Sequence, residues 1–213
     1  MRKIRLLLWF AATTAVAVFG ALYIAGLMNP EPAGEEEKLR TADEIAREIV
    51  TGEFSLIDHR GVPVTDEDFR GSWPLVFFGY THCPDVCPTA LGTVGIIMDE
   101  LGADAAAVQP LFITIDPSRD TPEIMADYVG SFHSRMIGLT GSEEQVAAAA
   151  RSHRAYYAKV LLFEGDQVRT DDYAMDHSAL LYLMDPDGMY AAAFSPVDTV
   201  ENIVKDIREF VNR

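Results

Sequence analysis

Cysteine is scarce in this chain of 213 residues, which contains only Cys83 and Cys87. Two cysteines are too few for the several disulfide bonds of a stapled mini-protein. They are also too few for a four-thiolate zinc site or a cysteine-ligated iron–sulfur cluster. Because the two residues lie only four positions apart, we expect any function of the thiols to involve both of them.

Basic residues are also few, with 17 lysines and arginines against 33 aspartates and glutamates and a formal net charge of -16. No stretch rich in lysine or arginine follows the first few residues. We therefore expect no nucleic-acid partner, because binding to phosphates needs a basic surface. The chain is 49% hydrophobic and 23% charged, a composition that excludes disorder of the whole chain.

An apolar segment of 23 residues without a side chain that is charged at neutral pH, residues 6–28, lies near the start of the sequence. It is long enough to span a bilayer, and the three basic residues before it predict a cytoplasmic N-terminus. We expect residues 1–28 to form an uncleaved anchor, although a cleaved signal peptide is the alternative. Because no leader rich in arginine and serine precedes the segment, the predicted location is a bacterial inner membrane with a periplasmic domain.

The rest of the chain alternates between strand and helix patterns. Two prolines and a run of glutamates predict that residues 29–50 form a linker that ends in a short helix. Residues 51–213 predict one α/β domain, in which a mixed central sheet is flanked by helices. The order of elements is that of the thioredoxin fold, with an added N-terminal hairpin and an insertion around residues 157–170. Neither internal repeats nor a second domain is expected.

The strongest local signal is the segment FFGYTHCPDVCP at residues 77–88, which places both cysteines after a buried strand and at the start of a helix. Open α/β sheets bind ligands at such strand ends, and a helix N-terminus favours thiolates. Two cysteines four positions apart share one face of a helical turn, so a disulfide and a shared metal are both feasible. A purely stabilising disulfide is disfavoured, because it would close a very short loop.

A third ligand would complete a metal site that has two thiolates. His177 is the candidate, because it lies in a polar loop that, in a thioredoxin arrangement, faces the cysteines. Two soft thiolates and one imidazole select copper as Cu(I) and can also hold Cu(II), whereas zinc usually takes a fourth ligand. The other four histidines are expected to have no role at the site: His59, His82, His133 and His153.

Several sequence blocks resemble the Sco/SenC family of copper-binding proteins: residues 77–88, 112–122 (FITIDPSRDTP), 172–188 (DYAMDHSALLYLMDPDG) and, in support, 64–71 (VTDEDFRG). The resemblance implies a membrane-tethered thioredoxin-like domain that binds copper through Cys83, Cys87 and His177. It also implies a role in assembling the copper centre of cytochrome c oxidase. The implied partners are the copper-acceptor subunit of that oxidase, or another periplasmic copper protein, and the inner membrane.

Two carboxylates close in sequence to the predicted ligands, Asp85 and Asp176, are candidates to orient His177 or to tune the metal from outside its coordination sphere. Asp85 could equally cap the helix. The segment DPSRDTP predicts a turn followed by a helix start, held by an ion pair between an arginine and one of two aspartates: Arg119 with Asp116 or Asp120.

Copper delivery without turnover is the main functional hypothesis, so the protein is expected to be a metallochaperone and not an enzyme. The alternative is a thiol-disulfide reductase, in which Cys83 and Cys87 form a redox disulfide and keep the thiols of a copper acceptor reduced. The CxxxC spacing departs from the CxxC of thiol oxidoreductases. His177 separates the two hypotheses, because electron exchange needs only the sulfurs whereas copper retention should need the imidazole.

Overall fold

The computed structural model describes residues 41–164 and 167–212, so the predicted anchor and most of the predicted linker lie outside the described residues. Its helices are α1 (Ala42–Ile49), α2 (Val86–Leu101), α3 (Pro122–Gly130), α4 (Glu143–Ser152) and α5 (Val200–Val211). Its strands are β1 (Ser55–Asp58), β2 (Pro63–Thr65), β3 (Trp73–Gly79), β4 (Val108–Thr114), β5 (Ile137–Thr140), β6 (Tyr157–Glu164), β7 (Gln167–His177), β8 (Leu181–Met184) and β9 (Tyr190–Phe194).

Seven of these strands form one sheet in the order β2-β1-β5-β4-β3-β8-β9. The central strands β5, β4 and β3 are parallel, whereas β1 pairs antiparallel with β5, and β8 pairs antiparallel with β3. The sheet is therefore mixed, as predicted. The compact unit that contains it begins at Ala42 and includes α1, which packs against β9.

Strands β3 and β4 occupy the centre of the sheet because their side chains are apolar on both faces. From Leu75 to Phe78 every side chain of β3 is buried, and so is the segment from Leu111 to Ile113 of β4. Such continuous apolar runs are typical of strands covered on both sides.

Helix α2 begins at Val86, so Cys87 lies in its first turn. Together with the 3-10 turn that follows it, α2 forms the one helix in the described part of the chain that is long and apolar enough to cross a membrane, residues 86–107. Leu91, Val94 and Met98 of this helix are buried in the core. Helix α2 also packs against α5, and its apolar character is therefore that of a core helix.

The hairpin β6–β7 replaces what the sequence predicted as an insertion around residues 157–170 and a polar loop that carries His177. The two strands pair antiparallel with each other, with Tyr157 opposite His177, and form a sheet separate from the main one. The pairing satisfies the backbone hydrogen bonds without requiring a buried face, which explains why the polar sequence of β7 carries no strand-like apolar pattern.

His153 is fully buried at the end of α4, although the sequence marks it only as a helix-end residue without a role in the site. Its Nδ1 atom lies 2.8 Å from the carbonyl oxygen of Ala149. Its ring packs against three aromatic rings, with centroids 5.1–6.5 Å away: Phe54, Phe78 and Tyr182. Within the described residues the Nε2 atom has no hydrogen-bond partner, so the pocket favours the neutral ring.

This burial predicts a loss of stability in mild acid. Burial lowers the pKa of His153 from 6.5 to about 4, so between these values the unfolded chain binds a proton that the folded chain does not. The free energy of unfolding should therefore fall as the pH drops through this window, by up to about 3 kcal/mol. Urea denaturation at pH 7 and pH 4.5 measures the effect.

The His153→Phe variant provides the control, because its side chain does not titrate. We expect its free energy of unfolding to vary much less between pH 7 and pH 4.5.

Two buried carboxylates titrate below this pH window. Hydrogen bonds outweigh burial and lower the pKa values of Asp58 and Asp116 below 3.8. The stability that these carboxylates contribute is consequently lost only below about pH 4. If the free energy of unfolding of His153→Phe falls between pH 7 and pH 4.5 as much as that of the unmodified protein, His153 is not the titrating group.

Candidate metal centre

The sheet topology brings the predicted ligands to one edge. Strands β3 and β4 run parallel with Gly79 opposite Thr114, so the loops that follow them leave the sheet at the same edge. Strand β8 runs antiparallel to β3 and begins there, with Leu181 opposite Phe77. His177 ends β7 four residues before Leu181, so it arrives at the edge where the cysteine loop begins.

The ligand atoms of Cys83, Cys87 and His177 all lie within 4.8 Å of one another. The Nε2 atom of His177 is 3.4 Å from the Cys87 sulfur, and the Cys87 amide N–H donates to the Cys83 sulfur at 3.4 Å. Both cysteines are free thiols. Cys87 is fully buried, whereas Cys83 and His177 are partly exposed. The structure therefore brings the three residues into one cluster that solvent reaches through two of them.

The two thiols differ in their tendency to ionise. Burial opposes ionisation of Cys83, but the backbone N–H groups of Cys87, Asp85 and Val86 at the start of α2 hold the pKa of Cys83 below its usual value. Burial raises the pKa of the Cys87 thiol far above its usual value. Cys83 is consequently the more readily ionised and more nucleophilic of the two thiols, while the surroundings of Cys87 favour its protonated form.

The His177 ring is held in an orientation suited to a metal ligand. Its Nδ1 atom lies 3.1 Å from the carbonyl oxygen of Ser178, and this contact selects the tautomer in which Nδ1 carries the hydrogen and donates it. The lone pair of Nε2 then points toward Cys87. The rings of Phe77 and Tyr80 pack edge-on against the imidazole, with centroids 5.9 and 6.2 Å away.

The other histidines do not join the cluster. The His82 side chain is 53% exposed, and its Nδ1 atom lies 3.1 Å from the Thr81 hydroxyl. His59 and His133 each accept a hydrogen bond from a backbone N–H, those of Gly138 and Arg135. These two imidazoles therefore serve local contacts with the backbone.

The two predicted outer carboxylates, Asp85 and Asp176, lie close to the proposed ligands in the chain but at exposed positions. Asp85 occupies the N-cap position of α2, makes no side-chain capping bond and is exposed. Asp176 precedes His177 on β7 and is also exposed. Within the described residues the hydrogen-bond partner of the imidazole Nδ1 is Ser178, not either aspartate. A role for Asp85 or Asp176 in orienting His177 therefore remains a prediction.

Gly79 is a site residue that the sequence analysis missed. A Cβ atom at this position would lie 2.8 Å from the Cys87 sulfur and 2.9 Å from a ring carbon of Phe112. Both distances are shorter than van der Waals contact. The missing side chain at the end of β3 thus provides the space that the buried thiol occupies. A glycine between a buried apolar run and the cysteine loop is the feature of the sequence that could have identified this position, because glycine in a strand often marks a close approach of another group.

The turn after β4 also contacts the site. Arg119 forms an ion pair with Asp116, which confirms the first of the two predicted pairings. Asp120 instead accepts hydrogen bonds from the Thr81 amide and hydroxyl, in the cysteine loop. The contact of this turn with the cysteine loop was not predicted from the sequence.

Two sulfurs and one imidazole nitrogen form a soft donor set. Such a set fits Cu(I), whereas Mg²⁺ and Ca²⁺ require several oxygen ligands. The cluster is thus chemically suited to copper.

Comparison with known proteins points to one family. The family model described as SCO1/SenC matches residues 42–212. The mitochondrial SCO2 homolog of Mus musculus is 40% identical over 201 residues, which cover 92% of this chain and 76% of the relative. The human mitochondrial SCO2 homolog is 44% identical and covers 90% of this chain and 70% of its own length. A solved structure of Bradyrhizobium japonicum ScoI with copper bound is 42% identical, has a TM-score of 0.67, and covers 76% of this chain and 99% of its own chain.

These comparisons correct the predicted location. The curated relatives from mouse and human are mitochondrial proteins, so the prediction of a bacterial inner membrane with a periplasmic domain is wrong. The prediction rested on the lack of an arginine- and serine-rich leader, and a signal that is missing from a sequence says little about a compartment. The prediction of a mixed sheet flanked by helices is confirmed, because this arrangement matches solved Sco structures, while the predicted N-terminal membrane helix lies outside the described residues.

Proposed function

Because the chain belongs to the SCO1/SenC family, we propose that it is a membrane-tethered copper chaperone for the copper centre of cytochrome c oxidase. It holds one copper ion through Cys83, Cys87 and His177 and passes the ion to an acceptor subunit. The observation that carries the proposal is the cluster of three soft ligand atoms within 4.8 Å of one another. The copper bound to the related ScoI structure supports the choice of metal.

The exposure of the three ligands suits a protein that must release its cargo. Cys87 is fully buried and its sulfur lies 3.4 Å from the His177 Nε2 atom, so an acceptor reaches this ligand last. Cys83 and His177 are partly exposed, so thiolate or imidazole ligands of an acceptor can replace them one at a time. Transfer by ligand exchange keeps the soft ion coordinated throughout and needs no change in its oxidation state.

An anaerobic titration of the reduced full-length protein with Cu(I) against a competing chelator tests this function. We expect one tightly bound equivalent. Loss of a group that hydrogen-bonds a metal ligand commonly lowers metal affinity about 10- to 100-fold. The His177→Ala variant loses a ligand itself, so its Cu(I) affinity should be lower by at least about 100-fold.

The matched control is His82→Ala, which removes an exposed imidazole next to Cys83 and should leave the affinity unchanged. If His177→Ala binds copper as tightly as the unmodified protein while the cysteines still exchange electrons, the chaperone proposal fails in favour of a reductase.

The reductase remains a second candidate because of the asymmetry between the thiols. Cys83 is partly exposed and has a lowered pKa, while Cys87 is buried with a raised pKa. This is the arrangement of an attacking and a resolving thiol. In that reaction the Cys83 thiolate attacks an acceptor disulfide and releases one thiolate. Cys87 then loses its proton, displaces the second acceptor thiolate and closes the Cys83–Cys87 disulfide, so two electrons pass to the acceptor.

Alkylation with iodoacetamide measures the asymmetry directly. At pH 7 we expect Cys83 to react more than about 10-fold faster than Cys87, because the thiolate is the reactive form and burial blocks access. Mass spectrometry of the digested protein gives both rates. Equal rates would contradict the assignment of Cys83 as the attacking thiol.

A further inference from the structure

The turn between β4 and α3, residues 116–120, contacts both of the chain segments that supply the proposed ligands. On one side its buried residue Asp120 reaches the cysteine loop. The Thr81 amide N–H donates to Asp120 Oδ2 at 3.0 Å, and the Thr81 hydroxyl donates to Asp120 Oδ1 at 2.5 Å. The Thr114 hydroxyl donates to Asp120 Oδ2 at 2.6 Å, which fixes the carboxylate to the end of β4. Thr81 lies two residues before Cys83.

On the other side the turn holds the strand that carries His177. The Tyr173 hydroxyl donates to Asp116 Oδ1 at 2.7 Å, and Asp116 is 4% exposed. Arg119 forms an ion pair with the same carboxylate, and its Nη1 group donates to the Tyr173 carbonyl oxygen at 3.1 Å. Tyr173 lies four residues before His177 on β7.

The Tyr173 ring is also fixed from both faces by cations. The guanidinium carbon of Arg119 lies 3.7 Å from the ring centroid, and the Lys159 ammonium nitrogen lies 3.5 Å from it. A cation on each face of one ring restricts both its tilt and its position. Tyr173 is therefore held through its hydroxyl, its ring and its carbonyl oxygen.

The hairpin needs such a contact, because β6 and β7 pair only with each other and not with the main sheet. The cysteines, in contrast, are fixed by β3 and α2, which belong to the core. Without side-chain contacts between the hairpin and the domain, the position of His177 relative to the sulfurs would vary. Ligand geometry is sensitive to displacements of this kind.

We propose that the turn at residues 116–120 positions the two halves of the copper site relative to each other. Asp120 fixes the cysteine loop, while Asp116 and Arg119 fix β7 and, through Tyr173, the imidazole of His177. These residues are positioning residues, since they act through the ligands and not on the ion. The inference rests on the proposed copper function.

The test uses variants of the full-length protein that each change one side chain of these contacts. Tyr173→Phe removes one hydroxyl, and Arg119→Met removes the guanidinium. We expect each variant to lower the Cu(I) affinity about 10-fold, the lower end of the effects known for groups outside the coordination sphere. Tyr156→Phe, which changes an exposed tyrosine at the base of the hairpin, is the matched control and should leave the affinity unchanged.

A double-mutant cycle separates positioning from general damage. If Tyr173 acts through His177, Tyr173→Phe should cause no further loss of affinity once His177→Ala is present. Thr81→Val, which removes the hydroxyl bound to Asp120, acts through the cysteines, so its effect should persist in the His177→Ala background. An equal loss from Tyr173→Phe in both backgrounds, or no loss in either, would overturn the proposal.

Hydrogen exchange of the copper-free protein gives a second readout that does not depend on metal. In Arg119→Met and Tyr173→Phe the amides of residues 173–177 should exchange several-fold faster, while those of α2 stay unchanged. Unchanged exchange in β7 would overturn the proposal even if copper affinity fell. If the unmodified protein retained no copper, the proposed function would fail, and the exchange experiment would still decide whether the turn holds the hairpin.

Discussion

Replacing Cys87 with serine should abolish tight retention of Cu(I), with an expected loss of affinity well above about 100-fold. Cys87 is the fully buried member of the cluster, and its sulfur lies 3.4 Å from the His177 Nε2 atom. A serine hydroxyl is a hard donor that stays protonated at neutral pH, so it cannot replace a thiolate for a soft ion. The measurement is competition with a chelator under anaerobic conditions.

The control for this prediction is Asp85→Asn, in the same loop. Asp85 is exposed and its side chain makes no capping bond, so the geometry predicts a change of affinity below about 3-fold, less than a partner that orients a ligand provides. A loss of about 10-fold or more would instead support the outer role suggested by the sequence. Copper affinity in Cys87→Ser equal to that of the unmodified protein would refute the proposed ligand set.

The second large effect is expected from Gly79→Ala, which should weaken both the fold and the copper site. The new methyl group would lie 2.8 Å from the Cys87 sulfur and 2.9 Å from a ring carbon of Phe112. Strand β3 cannot move away, because it is paired on both sides with β4 and β8. Such overpacking costs about 1–3 kcal/mol of the free energy of unfolding, and the displaced sulfur should also lower the Cu(I) affinity.

Gly92→Ala gives the matched control, since a Cβ atom at Gly92 in α2 meets nothing within 4 Å. Alanine is the better helix former, so this variant should be more stable than the unmodified protein by about 0.5–1 kcal/mol. Urea denaturation of both variants, with Cu(I) competition alongside, measures the contrast. Equal stability of Gly79→Ala and Gly92→Ala would show that the space around Cys87 is not limiting.

Local sequence patterns were sufficient to predict most of the strands and helices that form the core. The apolar runs of β3 and β4 are typical of buried strands, and Ser142 and Gln145 form the capping box at the start of α4. The apolar face of α5 was also visible in the sequence, because its buried residues repeat at helical spacing. Each of these features depends on residues that are close in the chain, where periodicity and end signals operate.

The α/β class, the order of the core elements and the three residues proposed to bind copper could be predicted from sequence patterns and from the family resemblance. Tertiary contacts establish which thiol is buried, that the polar segment before His177 is a paired strand, and that Gly79 leaves room for a sulfur. They also establish the contacts of the positioning turn, since Thr81 and Asp120 are 39 residues apart and Asp116 and Tyr173 are 57 apart. Short-range patterns set helices and strands, whereas contacts over such separations exist only after the sheet has brought distant loops to one edge.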